Sequence, residues 1–218
     1  MRKTCILLIL SILVVLGCIP YSAVQVIPAF SGRVAIVIVI DGADSRVLAD
    51  VDTPNLDALA LEGAWTNNSL TTLPSSSTTA HASLATGAYP EATCVVNTNA
   101  VNTTEYHEGT ATEPEKTYNY LQLLNATTLI ETANLYGVHT AVIVGEEELN
   151  VMLGKTQVAE RYRVLDILSV TADYDEWIAN ETIMAIEDFN ATVKRGEDLL
   201  MLVSMPATKW AGYEYGPN

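Results

Sequence analysis

In the stretch from Arg33 to Ile40, everything after the arginine is an uninterrupted apolar run rich in Val and Ile, and it stops on Asp41-Gly42. A run of that length without polar alternation is the signature of a strand buried on both faces of a parallel sheet, and it is read here as the first core strand. The rest of the chain keeps a strand and helix rhythm. Thr53-Pro54 opens a helix, with Thr53 as cap and Pro54 at the first helical position, and Gly63 closes it. Ala64 to Leu70 reads as a short strand, and a hydroxyl-rich loop through Ser75 to Thr79 leads to a helix from Thr79 to Thr86 that stops at Gly87. Val95 to Thr117 has no period and reads as a long surface insertion. Tyr118 to Tyr136 reads as a helix, Val138 to Val144 as a strand, Glu146 to Leu153 as a short helix, Asp173 to Lys194 as a long amphipathic helix and Leu199 to Met205 as a strand ending at Pro206. The predicted class is α/β, a mostly parallel sheet flanked by helices.

At 218 residues and 49% apolar composition, the chain can bury one substantial core. Residues 1–23 are set apart: Arg2 and Lys3 precede the apolar run Cys5 to Ile19, and Pro20 and Ser22-Ala23 follow, which is the layout of a secretory signal peptide. Retention of that segment as an anchor, or lipidation at Cys18, are the alternatives, and only through them would the chain touch a membrane. Residues 24–218 then form the domain. Removing the leader takes away two of the 11 basic residues and none of the 26 acidic ones, leaving a net charge of −17. So acidic a surface disfavours nucleic acid and anionic lipid as partners, since binding them draws on Lys and Arg. Of the three cysteines, Cys5 and Cys18 lie in the leader, so Cys94 remains without an intrachain disulfide partner. Asn-x-Ser/Thr triplets start at Asn67, Asn102, Asn125, Asn180 and Asn190, which fits a glycosylated protein outside the cytoplasm, secreted or at the cell surface.

Ligands of open α/β sheets gather outside the carboxyl ends of the strands, where Asp41 sits, and a carboxylate there can ligate a divalent cation. The order of Val37-Ile38-Val39-Ile40-Asp41-Gly42, then Thr53-Pro54-Asn55-Leu56-Asp57, then His81 to Thr86-Gly87-Ala88-Tyr89-Pro90-Glu91 resembles the alkaline phosphatase superfamily and, within it, the type I phosphodiesterase / nucleotide pyrophosphatase branch. The resemblance implies an alkaline-phosphatase-like core, a metal-dependent phosphoric ester hydrolase and a site of two divalent metal ions, usually zinc. It implies that Asp41 is a metal ligand and that Ser77, four residues before His81, stands at the position of a nucleophile that also touches metal. Thr78 is the alternative, because consecutive hydroxyl residues blur the register. A hydroxyl needs such help to attack phosphorus, and the helix N-terminus behind Ser77 favours a phosphate through its free N–H groups. His81 is read as structural. Where phosphodiesterase relatives carry an Asn that donates to phosphate, this chain has Ala80.

The late segment departs from the pattern. Aligning Gly212 and Tyr215-Gly216-Pro217 with the family's second-metal motif puts Lys209 where an Asp belongs and Tyr213 where a His belongs. An ammonium does not bind a cation and neutral Tyr is a poor substitute for imidazole, although Lys209 could serve as a fixed positive charge that anchors phosphate. The later Asp-His-Gly motif and final His of the family have no counterpart up to Asn218, so the resemblance covers the amino-terminal part of that domain. Three readings follow: a phosphate-ester hydrolase working through Ser77, a non-catalytic relative kept for surface binding or interaction, and a fragment of a longer protein. A sulfatase is disfavoured because Ser77-Thr78-Thr79-Ala80-His81 lacks that branch's Pro and Arg, and no Gly-rich nucleotide loop follows the first strand.

Overall fold

The computed structural model describes residues 32–96, 99–101, 117–119, 123–156, 158–164, 173–192 and 196–216, within one compact unit, Ser31–Asn218. The leader, most of the Val95 to Thr117 insertion and Asn102 lie outside the described residues. In chain order the elements are β1 (Val34–Ile40), α1 (Ser45–Asp50), α2 (Pro54–Glu62), α3 (Ser77–Thr86), α4 (Pro90–Thr93), β2 (Asn99–Val101) and β3 (Thr117–Asn119). There follow α5 (Leu129–Leu135), β4 (His139–Val144), a 3-10 helix (Glu147–Leu153), β5 (Arg161–Val164), α6 (Asp173–Thr192), β6 (Leu199–Met205) and α7 (Ala207–Tyr215).

Four strands form one parallel sheet in the order β1-β6-β4-β5, while β2 and β3 make a separate antiparallel pair. Val34 and His139 both align with Leu199, so β1, β6 and β4 start level and finish level. That register brings Asp41, Pro206 and Glu146 to one end of the sheet. Alternation along the strands separates two faces. Val142, Val144 and Leu202 pack with Ala82 and Ala85 of α3, Ile130 of α5, and Leu149 and Leu153 of the 3-10 helix in one buried cluster. On the other face lies α6, which packs on β4 and β6 and buries Ile178, Ala185 and Phe189. The α/β expectation holds.

Several local expectations do not. β1 is the edge strand of the sheet among the described residues, with Ile38 53% exposed, because α6 covers β4 and β6 and no described strand lies beyond β1. Ala64 to Leu70 is irregular and exposed and pairs with neither edge of the sheet. The expected helix Tyr118 to Tyr136 shortens to α5, since Tyr118 pairs with Ala100 in the small sheet and Thr128 starts the helix afresh. There the Thr128 hydroxyl accepts from Glu131 N–H and the Glu131 carboxylate accepts from Thr128 N–H, a reciprocal capping box. The Glu146 to Leu153 segment is helical but of the tighter 3-10 kind. Helices α1 and α7 and strand β5 were not anticipated.

Candidate active site

Asp41 is the first residue past β1 and is pinned by its N–H, which donates to the Met205 carbonyl at 2.9 Å. Its Oδ2 accepts a hydrogen bond from Ser77 Oγ at 2.7 Å and lies 3.4 Å from Lys209 Nζ. The same ammonium is in direct contact with Oε1 of Glu146, two residues beyond the end of β4. The side chains of Asp41, Lys209 and Glu146 are only 16%, 11% and 7% exposed, so these charges meet largely out of water. Two carboxylates and one ammonium leave the cluster with one net negative charge.

The local sequence explains how the groups arrive. The Ser76 hydroxyl caps α3 by accepting from Thr79 N–H, which makes Ser77 the first helical residue, two positions earlier than the hydroxyl-rich loop predicts. Gly87, at φ 67°, ends the helix in the left-handed conformation. Lys209 is delivered by α7, whose start is pressed against two glycines. A Cβ on Gly42 would stand 2.7 Å from Lys209 Cα, and one on Gly145 would stand 2.3 Å from Pro206 Cγ. The Ala207 N–H donates to Asp175 Oδ1 at 3.1 Å, and burial holds the Asp175 carboxyl above its ordinary range. Trp210 places its ring 4.9 Å from Lys209 Nζ and meets Tyr213 edge-on at 5.6 Å between centroids.

His81 braces this assembly from behind. Its Nδ1 lies 2.7 Å from the Ser77 carbonyl, which can only accept, so Nδ1 carries the proton and Nε2 accepts from Ser204 Oγ at 3.0 Å. Burial pulls its pKa below the usual 6.5, consistent with a neutral ring tying α3 to β6. In front, a cleft of about 620 Å³ is bordered by Asp41, Ser77, Lys209, Trp210 and Tyr213.

Of the residues singled out from sequence, the fold brings Asp41, Ser77 and Lys209 together. Thr78 is 1% exposed, whereas Ser77 is half-buried and bonded to Asp41. Tyr213 stands on the rim, 73% exposed. Glu146 was missed, although the rule that singled out Asp41, a carboxylate just past an apolar strand, also describes it.

A hydroxyl at a helix N-terminus is thus hydrogen-bonded to a strand-end carboxylate at the carboxyl edge of an open parallel sheet, where ligands of α/β folds gather. The sequence profile of the Type I phosphodiesterase / nucleotide pyrophosphatase family matches residues 35–218, and the chain belongs to that family, within the alkaline phosphatase superfamily. Among solved structures, murine ectonucleotide pyrophosphatase / phosphodiesterase 5, crystallised as an inactive variant with AMP, is similar at 18% identity and a TM-score of 0.63, covering 85% of this chain and 46% of that one. Phosphonoacetate hydrolase from Sinorhizobium meliloti 1021, in complex with phosphonoacetate, is similar at 17% identity and a TM-score of 0.58, covering 83% of this chain and 48% of that one. The chain thus spans less than half the length of these structures. Curated proteins give no match.

The family is metal-dependent in general, and the residues present do not fit a metal ion. The space between Asp41 and Glu146 is taken by an ammonium that both carboxylates already contact, with the Ser77 hydroxyl bonded to Asp41 beside it. Among the described residues no group of three His, Cys, Asp or Glu side chains is gathered in a way that could hold one. A catalytic zinc takes three protein ligands.

Proposed function

We propose that this chain is a phosphodiester-binding member of the family that works outside the cytoplasm, with Ser77 at the nucleophile's position. The hydrogen bond of 2.7 Å from Ser77 Oγ to Asp41, set at the N-terminus of α3 and open to the cleft, carries this reading. The first N–H groups of a helix lack intrahelical partners and attract anions, and Ser77 adds a hydroxyl beside them. The charge of the neighbouring cluster selects among phosphate esters. One net negative charge opposes a phosphomonoester dianion more strongly than a phosphodiester monoanion. The relatives support only the broader class of phosphorus oxyanion, since one was solved with AMP, a phosphomonoester, and the other with phosphonoacetate, a phosphonate. The leader-like residues 1–23 and the exposed triplets at Asn67, Asn125, Asn180 and Asn190 support an exported, glycosylated protein.

A hydrolytic reading is favoured by the same Ser77 to Asp41 bond. There Ser77 Oγ would attack phosphorus, Asp41 would take its proton, and the alkoxide of the ester would leave a phosphoseryl enzyme for water to cleave. The two readings separate on one substrate. With bis(p-nitrophenyl) phosphate, the binding reading expects a calorimetric signal weakened about tenfold by Ser77→Ala, the value of one hydrogen bond to a charged ligand, with no nitrophenol released. Release of nitrophenol abolished by Ser77→Ala would establish the hydrolase instead, and binding that is absent or indifferent to Ser77→Ala would overturn both. p-Nitrophenyl phosphate, the dianion, is expected to bind more weakly.

A further inference from the structure

We infer that Lys209 is a resident cation: its ammonium takes the position of a divalent ion between Asp41 and Glu146, so the site is assembled without metal. The inference rests on the placement of the site given above, but not on the identity of its ligand. Three observations carry it. The Lys209 ammonium bridges carboxylates from the ends of two different strands, β1 and β4, as a cross-linking ion would. All three side chains are mostly shielded from water, where a charge persists only when paired. Finally, the start of α7 is held close to the sheet end, because Gly42 leaves room for the backbone of residue 209 and Gly145 leaves room for the Pro206 ring, and this fixes where the Lys209 side chain is presented.

It follows that the positive charge needed between the two carboxylates is covalently attached and cannot be removed by a chelator. It also follows that the charge is spent on holding the sheet end together. The ammonium faces Asp41 and Glu146, and phosphate recognition falls to Ser77 and the start of α3. Changing Lys209 to an acid would remove the resident charge and leave three carboxylates around the same point, the composition of a divalent cation site.

The test uses the full chain and reads metal content and thermal unfolding. Wild-type protein dialysed against zinc is expected to retain less than one ion per ten chains, and its Tm is expected to be unchanged by EDTA. Lys209→Met should lower the Tm by about 10 °C, because it strands two buried carboxylates, and Glu146→Gln in the same chain should recover more than half of that loss. Lys209→Asp should take up one zinc ion per chain and gain a Tm that EDTA abolishes. The double variant keeps the idea testable if Lys209→Met alone fails to fold. Stoichiometric zinc in the wild type that disappears with Asp41→Ala would overturn the inference, as would a Tm indifferent to Lys209→Met, absence of rescue by Glu146→Gln, or failure of Lys209→Asp to take up metal. None of these readouts involves a phosphodiester. Loss of the ligand reading with this pattern intact would therefore leave the resident cation standing.

Discussion

At the residue scale, the site depends on atoms that are missing. Gly145→Ala would drive a methyl group to 2.3 Å from Pro206 Cγ, and overpacking of this kind costs about 1–3 kcal/mol. Gly42→Ala adds a positive φ of 80° to a 2.7 Å clash with Lys209 Cα, so it should cost more. Gly137→Ala, also at positive φ but with nothing within 4 Å, isolates the backbone strain alone, about 1–2 kcal/mol. Urea midpoints should therefore fall in the order Gly137, Gly145, Gly42, and equal midpoints would show that the two close approaches yield easily. Asp41 and Ser77 were picked out in sequence by their place in a motif, with Thr78 left open beside Ser77, and the fold joins the Ser77 hydroxyl to Asp41. The strand-end rule also describes Glu146, but its meeting with Lys209 depends on the register of β4 against β6, which no local pattern encodes.

At the element scale, segments with a definite stop were easier to read than those without one. Leu199 to Met205 is an apolar run with a definite stop, and its boundaries survived folding unchanged. Helix α5 was overextended because apolar residues from Tyr118 onward mimic a helical period, while the true start, Thr128 with Glu131 three residues on, carries a capping signal that periodicity ignores. Thr128→Ala should cost about 1 kcal/mol, visible as a shift in the urea midpoint without change of slope. At the opposite end of the sheet from Asp41, the first residue of β4 forms a clasp: His139 Nδ1 lies 2.7 Å from Glu160 and Nε2 lies 2.9 Å from Glu197. The bond to Glu160 leads in raising the His139 pKa above the usual 6.5, with Glu197 adding to it against partial burial. A histidine raised in the folded state stabilises fully below its unfolded pKa, and that stability is lost as pH rises through the folded value. His81, lowered by burial, acts in the opposite sense: its contribution is present above pH 6.5 and is lost as pH falls. Stability measured from pH 5 to 9 should therefore lose its alkaline decline in His139→Gln while keeping its acid decline. An unchanged alkaline limb in that variant would remove the clasp from the account.

At the scale of the whole molecule, the sequence conveyed the layered α/β class but not which strand stands at the edge. The Val and Ile content of β1 implies cover on both faces, yet Val34, Ile36 and Ile38 are 41%, 37% and 53% exposed. An exposed apolar edge strand invites pairing with other chains. Ile38→Lys is expected to reduce association at high protein concentration, measured by light scattering, while moving the Tm by no more than about 2 °C. A formal charge of −15 on the chain opposes that association at low salt, so the contrast should widen as salt is added. The same parallel register sets the order in which the site can be completed. Synthesis supplies Asp41 and Ser77 early and Glu146 next, but β1 acquires its neighbour only through pairings such as Arg33 to Asp198, 165 residues apart, and closing so long a loop is slow. Until α7 leaves the ribosome, Asp41 and Glu146 have no ammonium between them. Because β6 lies between β1 and β4, the strands carrying the two acids become neighbours only through the segment that runs straight on into α7, so the acids and their lysine are gathered in one step.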